Sequence, residues 1–203
     1  MKHLVALIFF LVLAAQPSRA VIVYSGIQDI PVPNTNDGVY LNIATGAATG
    51  TYPADWNSKP YFNPFYGGVA IATSDLFLPV ITGADQVLNL PFGSLIDPSL
   101  SYTTGESGSG THVGGGAGQF TLAFEGYVGY KFKTTISGPE YYGWARIVIE
   151  NSGSGLIRDW AYNDSDGIGI LTGMLLEAPE PGRTSLLFAA VACAALRRRR
   201  SRL

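Results

Sequence analysis

Apolar and polar residues alternate most cleanly over Gln119–Thr135, "QFTLAFEGYVGYKFKTT". Phe120, Leu122, Phe124, Val128, Tyr130 and Phe132 share one parity, while Thr121, Glu125, Lys131 and Lys133 take the other. A period of two marks a strand with one buried and one solvated face. Gly126 and Gly129 interrupt this run, and glycines inside a strand signal a bulge or a bend. Two more apolar-rich runs follow, "YYGWARIVIE" and "GLIRDWAY", joined by the turn-like "NSGSG". They predict an antiparallel hairpin with Trp144 and Trp160 largely buried on adjacent strands.

Shorter β-rich runs lie upstream: "VIVYSG", "GVYLNIATG", "GGVAIAT" and "DLFLPVIT". No stretch of the middle keeps an apolar period of 3.6, so no helix longer than about three turns is expected there. Eight or so short strands, with Gly, Asn and Asp between them, predict an all-β body. The spacing favours a β-sandwich or jelly roll over a barrel.

The two ends break this pattern. Lys2 and His3 precede an uninterrupted apolar run from Leu4 to Ala15, and "QPSRA" then supplies Pro17 with small residues at Ser18 and Ala20. That is the layout of an export signal, cut between Ala20 and Val21, with Ala15 a second candidate cut. As a helix the run reaches roughly 18 Å, too short for a hydrocarbon core of about 30 Å. At the other end, Pro179-Glu180-Pro181 is followed by the apolar run Thr184–Leu196 and by Arg197, Arg198, Arg199, Arg200 and Arg202. Prolines on either side of Glu180 hold it extended and remove two amide donors. The apolar run is marginal for a span, and the arginines resist translocation, so the C-terminus stays inside.

A rigid acidic tripeptide, a short apolar helix and a terminal basic cluster, in that order, resemble the PEP-CTERM sorting signal. The resemblance covers the last 25 residues. It implies an exosortase, an integral-membrane transpeptidase-like enzyme, that reads the tripeptide and processes the tail. Arg183, two residues after Pro181, and the shortness of the apolar run depart from the commonest form. The stretch from "GYVGYKF" through "YYGWARIVI" to "DWAYNDSDGIGILTG" is also similar to the bodies of PEP-CTERM proteins. This likeness implies architecture and no activity. The expected organisation is a signal peptide over 1–20, an all-β body over 21–178 and the sorting signal over 179–203.

Charge and cysteine use sharpen this picture. All 15 acidic residues fall between positions 21 and 180, against five basic ones, Lys59, Lys131, Lys133, Arg146 and Arg158. So acidic a middle repels phosphates, which excludes nucleic acid as a partner. The single cysteine, Cys193, lies in the C-terminal apolar run, so the body is held by its core without disulfides.

Little in the body points to catalysis. His112 reads as a solvated loop residue within "SGSGTHVGGGAG", where no Gly-x-Ser-x-Gly elbow and no phosphate-binding Lys-Ser/Thr ending occur. In "NDSDG", Asp164 and Asp166 resemble half of a calcium loop, but the spacing and the closing glutamate are missing, which favours a tight turn. Zinc lacks ligands, and no cofactor is expected. Glu125 and Glu150 could serve as a carboxylate pair for glycoside hydrolysis, yet both occupy polar strand positions. One stretch, "PADWNSKPYFNPFYGG", gathers aromatics among prolines and polar residues, so Trp56, Tyr61, Phe62 and Tyr66 are the candidate ligand surface.

Together these readings predict a non-enzymatic protein, exported with the help of signal peptidase and an exosortase. It would associate transiently with the inner membrane, then reach the cell surface or an extracellular polysaccharide matrix. The alternative is a carbohydrate-binding module, with a glycoside hydrolase third.

Overall fold

The computed structural model describes residues 21–82, 86–103 and 112–175. Among them the chain is all-β, and its only helical pieces are two short 3-10 turns, Trp56–Ser58 and Tyr66–Gly68. The first strands are β1 (Ile22–Tyr24), β2 (Ile30–Val32), β3 (Tyr40–Asn42), β4 (Ala48–Thr49), β5 (Tyr61–Phe65), β6 (Ala70–Ala72) and β7 (Phe77–Pro79). They are followed by β8 (Asn89–Leu90), β9 (Leu95–Ile96), β10 (Glu125–Lys133), β11 (Glu140–Ile149), β12 (Gly155–Asn163) and β13 (Ile170–Leu171).

Three antiparallel sheets result. The largest runs β1-β12-β11-β10-β7, with β2 added to β12 and β8 to β10. A second sheet has the order β4-β3-β5-β6, and β13 pairs with β9 in a third. The compact unit they form spans Ala20–Leu176.

The long strands β10, β11 and β12 form the centre of the large sheet, and both of their faces are covered. On one face Val128, Tyr130, Phe132, Ala145, Ile147 and Trp160 pack with Leu41, Phe62 and Ile71 of the second sheet. On the other, Tyr142, Trp144 and Ala161 pack with Val80, Leu90, Ile96 and Ile170. The expected single wet face is therefore absent over the middle of these strands. Gly129 carries no side chain to reveal this second buried face, and Lys131 hides it by its charge. The Lys131 ammonium lies 4.9 Å from the centre of the Tyr102 ring and 3.1 Å from Glu140, while its stem covers apolar surface.

Two further expectations are corrected here. The strand predicted from Gln119 begins only at Glu125. Leu122 to Phe124 form a turn in which Ala123 has a φ of 64°, and Phe124 is 68% exposed. Gly126 and Gly129 mark no bulge, because β10 and β11 pair without a break from Glu125↔Val148 to Lys133↔Glu140. They make room instead. A Cβ on Gly126 would strike Phe120, and one on Gly129 would meet Leu90, Val80 and Ile96.

The bulge lies in the next pair, where Arg146 faces Asp159 but Ile147 faces Ile157, leaving Arg158 as the extra residue of β12. The predicted hairpin is present. The Glu150 amide donates to Ser154 O at 2.9 Å across its loop. Trp144 faces Ala161 and Trp160 faces Ala145 in register, and both indoles are buried.

Candidate functional site

The aromatic stretch of the middle chain runs into β5, an inner strand of the second sheet next to β3. β3 and β5 pair Leu41 with Phe62 and Asn42 with Tyr61, so the side chains of β5 alternate between core and rim. Phe62 is fully buried against Phe77, with ring centroids 5.3 Å apart. It stands beneath the surface and drops out of the candidate ligand face. Tyr61 points the other way and stacks on Trp56, ring centroids 5.9 Å apart and planes 13° from parallel.

Trp56 opens a 3-10 turn whose last residue is tied back by two bonds from Ser58 to Asp55 O, one from its amide and one from its hydroxyl. Tyr40 meets Trp56 edge-on at 5.5 Å, and Tyr52 lies 5.9 Å from Trp56 and 5.8 Å from Tyr40. Four rings thus form one cluster. Tyr40 and Tyr61 form its buried base, Trp56 is half-buried, and Tyr52 is 60% exposed.

Two carboxylates flank the rings. The Tyr61 hydroxyl donates to Asp55 Oδ1 at 2.9 Å, and the Tyr40 hydroxyl donates to Asp37 Oδ1 at 3.3 Å. Burial above all, and then these carboxylates, push both phenols above their ordinary range, so both stay protonated donors at neutral pH. Each carboxylate is left with an oxygen that can accept from a hydroxyl. An exposed ring beside such acceptors can receive the face of a sugar ring and its hydroxyls.

Tyr66 lies outside this cluster, at the far end of β5. Its ring is 5.1 Å from Phe65, and its hydroxyl donates to Asn36 Oδ1 at 2.9 Å. The sequence reading missed Tyr40 and Tyr52. Tyr52 stands one residue before the stretch that was singled out, and Tyr40 reaches it only through the β3–β5 pairing.

The other sequence candidates are engaged structurally. Glu125 uses both oxygens on arginines, Oε2 to Arg146 at 3.0 Å and Oε1 to Arg158 at 3.1 Å. Glu150 accepts the hydroxyls of Ser152 and Ser154 within the hairpin loop. Asp164 Oδ1 accepts the Val21 amide and Asp166 Oδ1 the Glu140 amide, each at 2.8 Å. Among the described residues no group of three or more His, Cys, Asp or Glu is placed to hold a metal.

His112 contradicts its reading as a solvated residue. It is fully buried, its Nε2–H donates to Gly68 O at 3.0 Å, and its ring meets Phe120 edge-on. Asp159 gave no sequence signal, yet it is buried in a two-bond pair with Arg146, at 3.0 and 2.6 Å, and also accepts the Tyr24 hydroxyl.

A cleft of about 300 Å³ lies elsewhere, bordered by Val23, Gln28, Ile43, Thr45 and Trp160, and no ionisable side chain lines it. No protein-family model matches the chain, and neither the curated proteins nor the solved structures contain a match to it. Among the described residues no helix is long and apolar enough to cross a membrane. Ala20, Pro179, Glu180, Pro181 and the arginine cluster lie outside the described residues.

Proposed function

We propose that the protein is a non-catalytic component of the cell surface or extracellular matrix, exported by its N-terminal signal and sorted by an exosortase through its C-terminal tail. The observation that carries this reading is the order of parts in the tail: Pro179-Glu180-Pro181, a short apolar run, then five arginines. A simple membrane anchor uses the apolar run and the arginines but has no use for Glu180. In support, Glu125 is committed to ion pairs, Glu150 to the Ser152 and Ser154 hydroxyls, and Asp164 and Asp166 to backbone amides. The large sheet packed on the β4-β3-β5-β6 sheet across a shared core fits a β-sandwich, the finer form of the all-β fold.

Glu180→Gln keeps the size and extended backbone of the tripeptide and removes its charge. In exosortase-bearing cells this variant should insert in the membrane like the parent but accumulate unprocessed, as read from the mobility and location of a tagged body. Processing and release at the parental rate would reduce the tripeptide to a spacer and sink the sorting reading.

A second reading is favoured by a separate observation, the cluster of Tyr40, Tyr52, Trp56 and Tyr61 with Asp37 and Asp55 on its rim. Here the body is a carbohydrate-binding module that holds matrix polysaccharide on the exposed Tyr52 ring and the half-buried Trp56.

A further inference from the structure

We propose that removal of the leader between Ala20 and Val21 creates an ion pair between the new Val21 ammonium and the Asp164 carboxylate, pinning the first residue of the processed protein to the end of β12. This inference rests on the export reading above. In the uncut chain the Val21 nitrogen is an amide that donates to Asp164 Oδ1 at 2.8 Å. The Asp164 amide donates back to Val21 O at 3.0 Å. The next residue, Ile22, is already in register with Asn163. The cut therefore requires no rearrangement of the body around Val21.

Hydrolysis breaks the Ala20 C–Val21 N bond. Water supplies the oxygen of the Ala20 carboxylate and a hydrogen to the Val21 nitrogen, which holds a further proton at neutral pH. A hydrogen bond that carried charge on its acceptor alone thus becomes an ion pair with charge on both partners.

The surroundings favour a cation. Asp164 has no ion-pair partner among the described residues; its remaining contact is the Ser165 hydroxyl at 3.4 Å. The other titratable groups around this corner are Tyr162 of β12, Asp166 of the same turn and Glu140 of β11, whose amide Asp166 accepts. Tyr162 and Asp166 are acids, and Glu140 carries its own cations, Lys131 at 3.1 Å and Lys133 at 3.9 Å. Asp164, which the sequence offered as part of a calcium loop, thereby takes the role of a socket for the chain's own processed end. Val21 is 46% exposed, so the pairing should show in the reactivity of the amine rather than in the melting temperature.

The test uses the full gene expressed in an exporting bacterium and the processed protein purified from it. N-terminal sequencing should begin at Val21. Acylation of the α-amine with a limiting amine-reactive ester at pH 7, followed by mapping of the N-terminal peptide, should be about threefold slower in the parent than in Asp164→Asn, because pairing lowers the unprotonated fraction. Asp166→Asn should behave like the parent. A start at any other residue overturns the proposal together with the predicted cut. A start at Val21 with equal rates in parent and Asp164→Asn overturns the pairing and leaves the cut standing. Equal acceleration in both variants also overturns it, replacing a specific pair by a general acidic field.

Discussion

His112 is held where water does not reach, donating from Nε2 to Gly68 O while its Nδ1 has no partner. Burial outweighs the Gly68 bond and lowers its pKa below the ordinary value. The folded protein therefore keeps the ring neutral at a pH where the unfolded chain already binds a proton. As pH falls below about 6.5, the unfolded state takes up that proton first, and stability declines until the folded-state pKa is reached. Urea midpoints measured between about pH 7.5 and 5 should fall with pH in the parent. His112→Leu should start lower, having lost the Gly68 bond, but its profile should be flatter across the same window. Parallel profiles for the two proteins would mean that His112 is not the group responsible.

Among the elements, the β10–β11–β12 meander is organised by cross-strand partners of unequal size. Tyr130 lies opposite Gly143, and Gly129 lies opposite Trp144. A Cβ on Gly143 would come within 2.4 Å of the Tyr130 ring, so the large ring occupies the space its partner vacates. The bulge at Arg158 then brings two successive acidic and basic side chains of β12 to the Arg146–Glu125 neighbourhood. Within it, Arg146–Asp159 is the pair with a buried member, its carboxylate side chain being 2% exposed. Removing one partner of a buried pair strands the other, whereas an exposed pair contributes little. Asp159→Ala should lower the unfolding free energy by about 3 kcal/mol, and Glu125→Gln by less than about 1 kcal/mol. Chemical denaturation of the two variants checks this; equal effects would show that the buried pair has no special weight.

At the scale of the whole molecule, an acidic middle stands beside the aromatic cluster of exposed Tyr52 and half-buried Trp56. Fifteen acidic residues against five basic ones between positions 21 and 180 disfavour an anionic polymer. A neutral polysaccharide could meet the Tyr52 ring without that repulsion. The processed protein should therefore be retarded in gels containing a neutral glucan or mannan and run freely through alginate. Tyr52→Ala should weaken retardation roughly tenfold or more, in line with the loss of a central aromatic anchor. Tyr66→Ala, at the other end of β5, should leave it unchanged. Retention that survives in Tyr52→Ala would remove the cluster as a sugar site.

Some features of this protein were already decided by local residue order. Glycine punctuation and a period of two leave no alternative to an all-β body, and "NSGSG" closes the β11–β12 hairpin because its two strands are adjacent in the chain. Whether a charged or small residue faced water was not decided locally. Lys131 and Gly129 read as breaks in a buried pattern, yet both sit on a second covered face that Val80, Leu90, Ile96, Tyr102 and Ile170 supply from far away in sequence. For the same reason His112, in a glycine-rich loop, was legible only as solvated, since Gly68 and Phe120 bury it from two other segments. Phe62 and Tyr61, neighbours in one aromatic run, were separated by the pairing of β5 with β3, which sends one ring to the core and the other to the rim. Tyr40 joined Trp56 through that pairing too. Sequence order sets which residues are adjacent along a strand, but burial and partnership depend on the elements that pack across it, and those contacts exist only once the chain has folded.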